Sequence, residues 1–188
     1  MLKLAVTVGK EAAKRSIGVF VEVSTAQVYE AGKKASSEES KLKPWTILAK
    51  YKAKAEEELK AIAGLNLVIV RPAIVYGPND ILGVTPRLII GAVYKQLGEE
   101  MKLLWTKDLK INTVHVEDVC RALWYVAADK ADKGGREKPI VQGAAQIFNL
   151  CDKNDTGIIF YNAIDQGTIN DFIATIFGIK TGFQGSIA

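Results

Sequence analysis

The sequence has few cysteines and almost no histidine, and each scarcity excludes a class of protein. Its 188 residues contain two cysteines, Cys120 and Cys151, and one histidine, His115. Two cysteines far apart, each in an apolar segment, do not form a disulfide framework or a metal site, and both are predicted to be small buried side chains. A single histidine argues against a histidine-based metal centre and against a Ser-His-Asp triad, so no metal site is predicted.

The sequence also lacks a long apolar run and a dense cluster of one charge. No stretch approaches the roughly 20 apolar residues that span a bilayer, and the N-terminus has no signal-peptide pattern. The net charge of +4 is mild, and the Lys and Arg residues are scattered among Glu, whereas a nucleic-acid binder gathers them in one patch. We therefore expect a cytoplasmic protein without a membrane span and without a nucleic-acid partner.

Helix-like and strand-like segments alternate along the chain, which indicates the α/β class with a mostly parallel sheet and helices on both faces. The first helix is predicted up to Arg15, and a β-rich run follows from Val19 to Val23 and ends at Ser24 and Thr25. Polar side chains at the carboxyl end of such a strand lie where open α/β sheets usually bind ligands. The later segments are an apolar strand at 65–70, a helix at 85–97, strands near 101–105 and 111–116, a helix from 117, a strand near 147–152 and a helix at 168–177.

A long helix, predicted from Thr46 to Ala63, carries a lysine on its apolar stripe. Lys52 lies on that stripe, and a core-facing lysine is costly unless another group pairs with it. The opposite face is predicted to be solvated, with Glu56 and Lys60 as an ordinary i,i+4 pair. The stripe itself repeats at the three-and-four spacing of a buried helix face and consists of Leu48, Tyr51, Ala55, Leu59 and Ile62.

Four segments, in this order, resemble the second half of the extended short-chain dehydrogenase/reductase family, the NAD-dependent epimerase/dehydratase group. They are VFVEVSTAQVY, KYKAKAEEEL, VIVRPAIVYGP and TVHVEDVCRAL. The first is similar to the strand with the catalytic Ser or Thr, the second to the helix with the Tyr-x-x-x-Lys pair, and the third to the loop beside the nicotinamide. The resemblance implies a partial Rossmann-like sheet with helices on both faces over residues 1–80, and a small α/β substrate-side region over residues 81–188.

The resemblance also implies roles for four residues near NAD or NADP. Lys52 falls on the lysine that holds the nicotinamide ribose, unless it is a snorkelling lysine with a solvated tip. Thr25 falls on the hydroxyl that positions the substrate oxygen, unless it only satisfies its own backbone. Ser24 and Pro72 are expected beside the cofactor.

The sequence departs from the family pattern at the tyrosine. In the family, a tyrosinate takes a proton from the substrate hydroxyl, and the lysine four residues later lowers the pKa of that tyrosine. Here Leu48 stands four residues before Lys52. Tyr51 is either a base in a shifted register with Lys54 or a core-facing aromatic side chain. No G-x-x-G-x-x-G turn for a pyrophosphate occurs in the sequence.

Three further positions bear on the substrate and on catalysis. Ile74 and Ile111 stand where many family members place polar substrate contacts, and His115 is interpreted as a structural residue rather than a base. By resemblance, the substrate is a small molecule such as a nucleotide sugar, and two helices, including the one near Thr46, form a homodimer interface.

The resulting hypothesis is an epimerase/dehydratase-type oxidoreductase that is inactive or impaired as this chain. Two alternatives stay open at this stage. One is a non-catalytic binding or assembly protein on the same fold, and the other is a partial gene product.

Overall fold

The computed structural model describes residues 2–30, 36–132, 145–152 and 164–185, which fall into two compact units. Unit 1 comprises Met1–Ala73 and Glu117–Leu150, and unit 2 comprises Ile74–Val116 and Cys151–Ala188. The helices are α1 (Leu2–Lys14), α2 (Ile47–Lys60), α3 (Thr85–Leu97), α4 (Val116–Asp132) and α5 (Gln166–Phe177). The strands are β1 (Phe20–Val23), β2 (Leu67–Pro72), β3 (Ile74–Tyr76), β4 (Met101–Leu103), β5 (Lys110–Ile111), β6 (Thr113–His115), β7 (Gln146–Leu150), β8 (Ile164–Asp165) and β9 (Thr181–Phe183).

Unit 1 contains a parallel sheet with the strand order β1-β2-β7. Strand β2 is paired on both sides, and all six of its residues are buried. A central strand of a parallel sheet is covered on both faces, so its sequence reads as a continuous apolar run instead of an alternation. The α/β class with a parallel sheet is therefore confirmed.

Helices α1 and α2 pack together against one face of this sheet. The close approach depends on Gly9 of α1, since a Cβ atom there would lie 2.5 Å from the Leu59 side chain of α2. Burial of this apolar surface stabilises the unit by roughly 25 cal/mol for each Å² removed from water. The buried residues of this cluster are Ala12, Leu59, Leu65, Leu67 and Ile69.

Unit 2 contains short strand pairs and two packed helices. Strands β3 and β6 are parallel, as are β4 and β9, and β5 pairs with β8 in antiparallel orientation. Helix α3 packs on α5 through Gly91, where a Cβ atom would lie 2.5 Å from Ile173. The main buried apolar cluster of this unit consists of Met101, Ile111, Ile169 and Ile173.

The structure corrects the predicted orientation of α2. The helix begins at Ile47, with Thr46 as its N-cap, and its buried side shares only Ala55 and Leu59 with the predicted stripe. Leu48 and Tyr51 are exposed, whereas Glu56, predicted to be solvated, is fully buried. A period of 3.6 residues could not separate these neighbouring faces, because small alanines cover much of the buried side. That side is formed by Ala49, Ala55, Glu56 and Leu59.

The cysteine prediction was also wrong, because both Cys120 and Cys151 are exposed. Apolar neighbours in the sequence do not reveal which side of a helix or strand end a residue occupies. The segment 130–142 is charged and contains glycines, which predicts a loop. Its first residues instead belong to α4, which ends at Asp132, and residues 133–142 lie outside the described residues.

Candidate functional site

The carboxyl end of β1 carries the first two residues of the candidate site. The Ser24 amide donates to the Val70 carbonyl at 2.7 Å, which continues the pairing with β2. The Ser24 hydroxyl is buried and has no hydrogen-bond partner among the described residues. Thr25 caps a short 3-10 helix (Ala26–Val28), and its hydroxyl accepts a hydrogen bond from the Gln27 amide at 3.2 Å. The backbone at this strand end is thus ordered by its own side chains.

Lys52 of α2 reaches the same end of β1. Its Nζ donates to Glu22 Oε1 at 2.9 Å and to the Val23 carbonyl at 2.5 Å. The Lys52 side chain is 20% exposed and the Glu22 side chain 11%. Lys52 is therefore paired, and this pairing offsets the free-energy cost of placing its charge on the buried side of the helix.

A second ion pair lies one helical turn further along α2 and is fully buried. Arg71 of β2 donates through Nε to Glu56 Oε1 at 3.0 Å and through Nη2 to Glu56 Oε2 at 2.5 Å. Both side chains are 1% exposed. Such a two-pronged pair combines charge with fixed geometry. Burial lowers the pKa of Arg71, but hydrogen bonds to Glu56 and Tyr29 outweigh that effect, so that the pKa is raised overall.

Tyr29 extends this pair to the edge strand β7. Its hydroxyl accepts a hydrogen bond from Arg71 Nη1 at 2.7 Å and donates to Asn149 Oδ1 at 2.8 Å. The Arg71 guanidinium also lies 5.0 Å from the centroid of the Tyr29 ring, within the range of a cation–π contact. The Glu38 carboxylate accepts a hydrogen bond from the backbone N–H of Asn149 at 2.9 Å. These contacts join β2, β7 and the segments that follow β1.

The structure brings Ser24, Thr25 and Lys52 to one end of β1, but it separates Tyr51 from them. Tyr51 is 56% exposed, so the interpretation as a core-facing aromatic was wrong. It lines an apolar groove of about 520 Å³. Pro72 is buried at the end of β2, paired in register with Leu150. The groove is lined by Leu2, Lys3, Ile47, Leu48 and Tyr51.

Unit 2 contains the three positions that were compared with substrate contacts or bases. Ile74 begins β3 and is partly exposed, whereas Ile111 is buried in the apolar cluster of the unit. His115 ends β6, where its amide donates to Asp152 Oδ1 at 3.1 Å. Its ring meets the Tyr76 ring edge-on, with 5.3 Å between the centroids. These contacts agree with a structural interpretation of His115.

Sequence reasoning missed Glu22, Glu56 and Tyr29. One signal was present for Glu22, because a carboxylate in the middle of the apolar run FVEV requires a partner. Glu56 follows Lys52 by four residues and therefore lies on the same side of the helix. The sequence positions of Glu22 and Glu56 do not reveal which cation on another element pairs with each carboxylate.

The donors at the end of β1 fit a ribose better than a metal ion. An ammonium has three N–H donors, and the described contacts of Lys52 use two of them. The unpartnered Ser24 hydroxyl adds a group that can both donate and accept. Within residues 2–30, 36–132, 145–152 and 164–185, no group of three or more His, Cys, Asp or Glu side chains could hold a metal ion.

No helix in the described part of the chain is long and apolar enough to cross a membrane.

Comparison with known proteins gives the family. A sequence profile described as the NAD dependent epimerase/dehydratase family matches residues 2–143. The chain therefore belongs to the NAD dependent epimerase/dehydratase family. No curated protein sequence matches it significantly.

Solved structures support the same fold. MoeE5, solved in complex with UDP-glucose and NAD, is 18% identical, with a TM-score of 0.70 over 97% of this chain and 56% of its own. A UDP-glucuronic acid 4-epimerase from Bacillus cereus, in complex with NAD, is 17% identical, with a TM-score of 0.68 over 96% and 54%. A dTDP-glucose 4,6-dehydratase from Bacillus anthracis, in complex with NAD, is 20% identical, with a TM-score of 0.67 over 98% and 55%. The chain thus spans about half the length of these structures.

Proposed function

We propose that this chain carries the nicotinamide side of an NAD(P)-dependent epimerase/dehydratase-type oxidoreductase, with catalysis absent or impaired. One observation carries the proposal. The Lys52 ammonium lies at the carboxyl end of β1, next to Ser24 and Thr25, while Leu48 stands at the position of the family tyrosine. The proposal includes a cytoplasmic location.

NAD or NADP, when bound, supplies a nicotinamide that exchanges a hydride with the substrate. On the protein side, the third N–H of Lys52 would donate to a ribose hydroxyl, and the Ser24 hydroxyl would contact the cofactor. Thr25 would orient a substrate oxygen with the donor that remains on its hydroxyl, because that oxygen already accepts from Gln27. Pro72 would stiffen the neighbouring strand end. No phenol is available at position 48 to move the substrate proton.

Calorimetric titration of the 188-residue chain with NADH tests the proposed impairment. We expect no binding at micromolar concentration, because the sequence has no glycine-rich turn to hold the pyrophosphate. We also expect no change in NADH absorbance when a nucleotide sugar and the chain are mixed. Micromolar affinity, or measurable turnover, would contradict the proposed impairment.

The proposed substrate class is a nucleotide sugar, and Arg87 of α3 is the group that favours an anionic ligand in unit 2. Its guanidinium donates to the neutral Gln166 side chain at 3.1 Å, and no ion pair among the described residues includes it. Burial lowers the pKa of Arg87. A partly buried cation that has no carboxylate partner in the described part of the chain is suited to a phosphate oxygen.

Titration with UDP-glucose tests the role of Arg87. We expect weak binding that the Arg87→Leu substitution reduces about tenfold or more, because a charged hydrogen bond is lost. The substitution Lys102→Leu is the matched control, since that lysine is exposed and pairs with Glu100 at the surface. Equal affinity of the Arg87→Leu variant and the wild type would remove the argument for a diphosphate.

A second candidate function is assembly, and the exposed apolar surface of α1 and α2 favours it. A patch of this kind on a soluble domain often marks an interaction site. We propose that the occupant is a second copy of the chain, because the family often dimerises through two helices from each subunit. The exposed apolar residues are Leu4, Val8, Ile47, Leu48 and Tyr51.

Sedimentation of the wild type and of Tyr51→Glu separates these states. We expect a dimer for the wild type and a monomer for the variant, because a carboxylate would be buried unpaired in the interface. The substitution Trp124→Glu on α4 is the control, since that side chain is also exposed but lies on another helix. A monomeric wild type would argue against assembly through this surface.

A further inference from the structure

We propose that Glu22 is a counter-ion that occupies Lys52 and so cancels the positive charge that a phenolic base at position 48 would need. The inference rests on the proposed role of Lys52 as the family lysine. It assigns a function to Glu22 and gives a reason why the lysine persists beside Leu48.

The sheet directs Glu22 towards α2. Alternate residues of a strand point to opposite faces, and Glu22 is paired in register with Ile69. Ile69 belongs to the core cluster beneath α1 and α2. Glu22 therefore lies on the helix-covered face, where it meets the Lys52 ammonium at 2.9 Å.

Partial burial makes this neutralisation effective. Charges that are largely covered are screened less by salt than exposed charges are, and the two side chains are 20% and 11% exposed. The Val23 carbonyl at 2.5 Å holds the ammonium from a second direction. The carboxylate of Glu56, one turn further along α2, is already paired with Arg71. It therefore does not replace Glu22 as the partner of Lys52.

The Lys52–Glu22 pair weakens the electrostatic effect of Lys52 on a side chain at position 48. Residues four apart on a helix are neighbours, with about 5–6 Å between their Cβ atoms. From that position a free ammonium acts as a full positive charge, which stabilises a phenolate. An ammonium in contact with a carboxylate acts as a dipole, and its influence on the phenolate is much smaller. Replacing Leu48 by tyrosine is therefore not sufficient to restore the base.

Ultraviolet titration of a new phenol tests this inference on the 188-residue chain without any cofactor. In the Leu48→Tyr variant, the additional phenolate absorbance relative to the wild type should appear near the ordinary tyrosine value of about 10. In Leu48→Tyr with Glu22→Gln, the titration midpoint should fall by about one pH unit or more. Adding Lys52→Met to this double variant should return the midpoint to the value found for Leu48→Tyr alone.

Amine labelling of Lys52 gives a second readout that does not need the new tyrosine. Glu22→Val should raise the labelling rate of Lys52 several-fold, because the ammonium loses its carboxylate partner. Lys50 and Lys54 are exposed on the same helix and serve as internal references. Mass spectrometry of the peptides measures the three rates in one sample.

Equal midpoints with and without Glu22→Gln, or an unchanged labelling rate of Lys52, would overturn the inference. These outcomes are separate from failure of the proposed function, which NADH titration and turnover decide. A lowered midpoint in the single variant Leu48→Tyr would also overturn it, since Glu22 would then not cancel the charge.

Discussion

Two carboxylates of unit 1 and one carboxylate of unit 2 find their hydrogen-bond partners in different ways. In unit 1, Glu22 and Glu56 pair with cations that lie on other elements, 30 and 15 residues away in the chain. In unit 2, Asp80 accepts hydrogen bonds from four backbone amides of the residues that follow it, from Leu82 to Thr85. The first arrangement joins helix to sheet, whereas the second orders one loop. A long-range pair therefore depends on the tertiary structure, whereas a local cap depends only on the segment that contains it.

Arg71→Met should have the largest effect, a loss of about 3–5 kcal/mol in the free energy of unfolding. The substitution leaves the Glu56 carboxylate buried without its cation and also removes the donor to Tyr29. Denaturation in urea, followed by circular dichroism, measures the loss. A change below about 1 kcal/mol would show that the pair is not buried in solution.

The double substitution Arg71→Met with Glu56→Leu should be more stable than Arg71→Met alone. Replacing both members of a buried pair by apolar side chains removes the cost of an unpaired charge. The same urea experiment gives the coupling between the two positions. A double variant that loses the sum of both single effects would indicate that the residues act independently.

Asp80→Ala should cost about 1–2 kcal/mol near neutral pH, because the loop before α3 loses its cap. Burial raises the pKa of Asp80, but the four backbone hydrogen bonds outweigh it and lower the pKa from 3.8 to about 2. The stabilisation is therefore present above the ordinary value of 3.8 and is lost as the pH falls towards about 2.

The difference between the wild type and Asp80→Ala should shrink over this pH range, as measured by urea denaturation from pH 6 to pH 2. The pH dependence of the variant should be flatter at the acidic end. A constant difference at every pH would mean that the Asp80 carboxylate does not act through its charge.

Lys43→Met should have the smallest effect and supplies the exposed counterpart of the buried pairs. Lys43 and Glu30 are in contact at 2.5 Å, but both are exposed. Exposed pairs contribute little because water and salt screen them. We expect no resolved change in the urea midpoint, and a clear loss would indicate that the segment around Lys43 packs more tightly than its exposure suggests.

Local signals predicted much of the fold correctly. The α3 helix was predicted at its observed bounds, and the β-rich run from Val19 to Val23 forms β1. The cap of α3 could not be identified from the first residues of the helix, Thr85 and Pro86. The N-cap is Val84, which makes no side-chain cap bond, and Asp80 supplies the acceptor instead. An acceptor four residues before the cap lies outside the usual capping pattern.

The candidate site was only partly predictable. Ser24, Thr25 and Lys52 could be named because their segments resemble a known family, and the structure brings the three to one end of β1. Tyr51 was wrongly predicted to face the core, because the predicted apolar stripe includes residues from both the exposed side and the buried side of α2. Glu22 was not identified as a partner of Lys52, because strand register and helix rotation together decide that contact.

The amino-acid sequence alone predicted the five helices, the alternation of helices and strands, the membership in an epimerase/dehydratase family and the presence of Leu48 in place of a tyrosine. It did not predict the short strands β3, β8 and β9. The predicted features depend on residue identity and short spacing, which the chain carries directly. Only the tertiary structure decided that Lys52 pairs with Glu22, that Arg71 and Glu56 are both buried, and that Tyr51 faces outwards. The physical reason is that each of these outcomes depends on how the helix rotates against the sheet, and that rotation is decided by packing between residues far apart in the sequence.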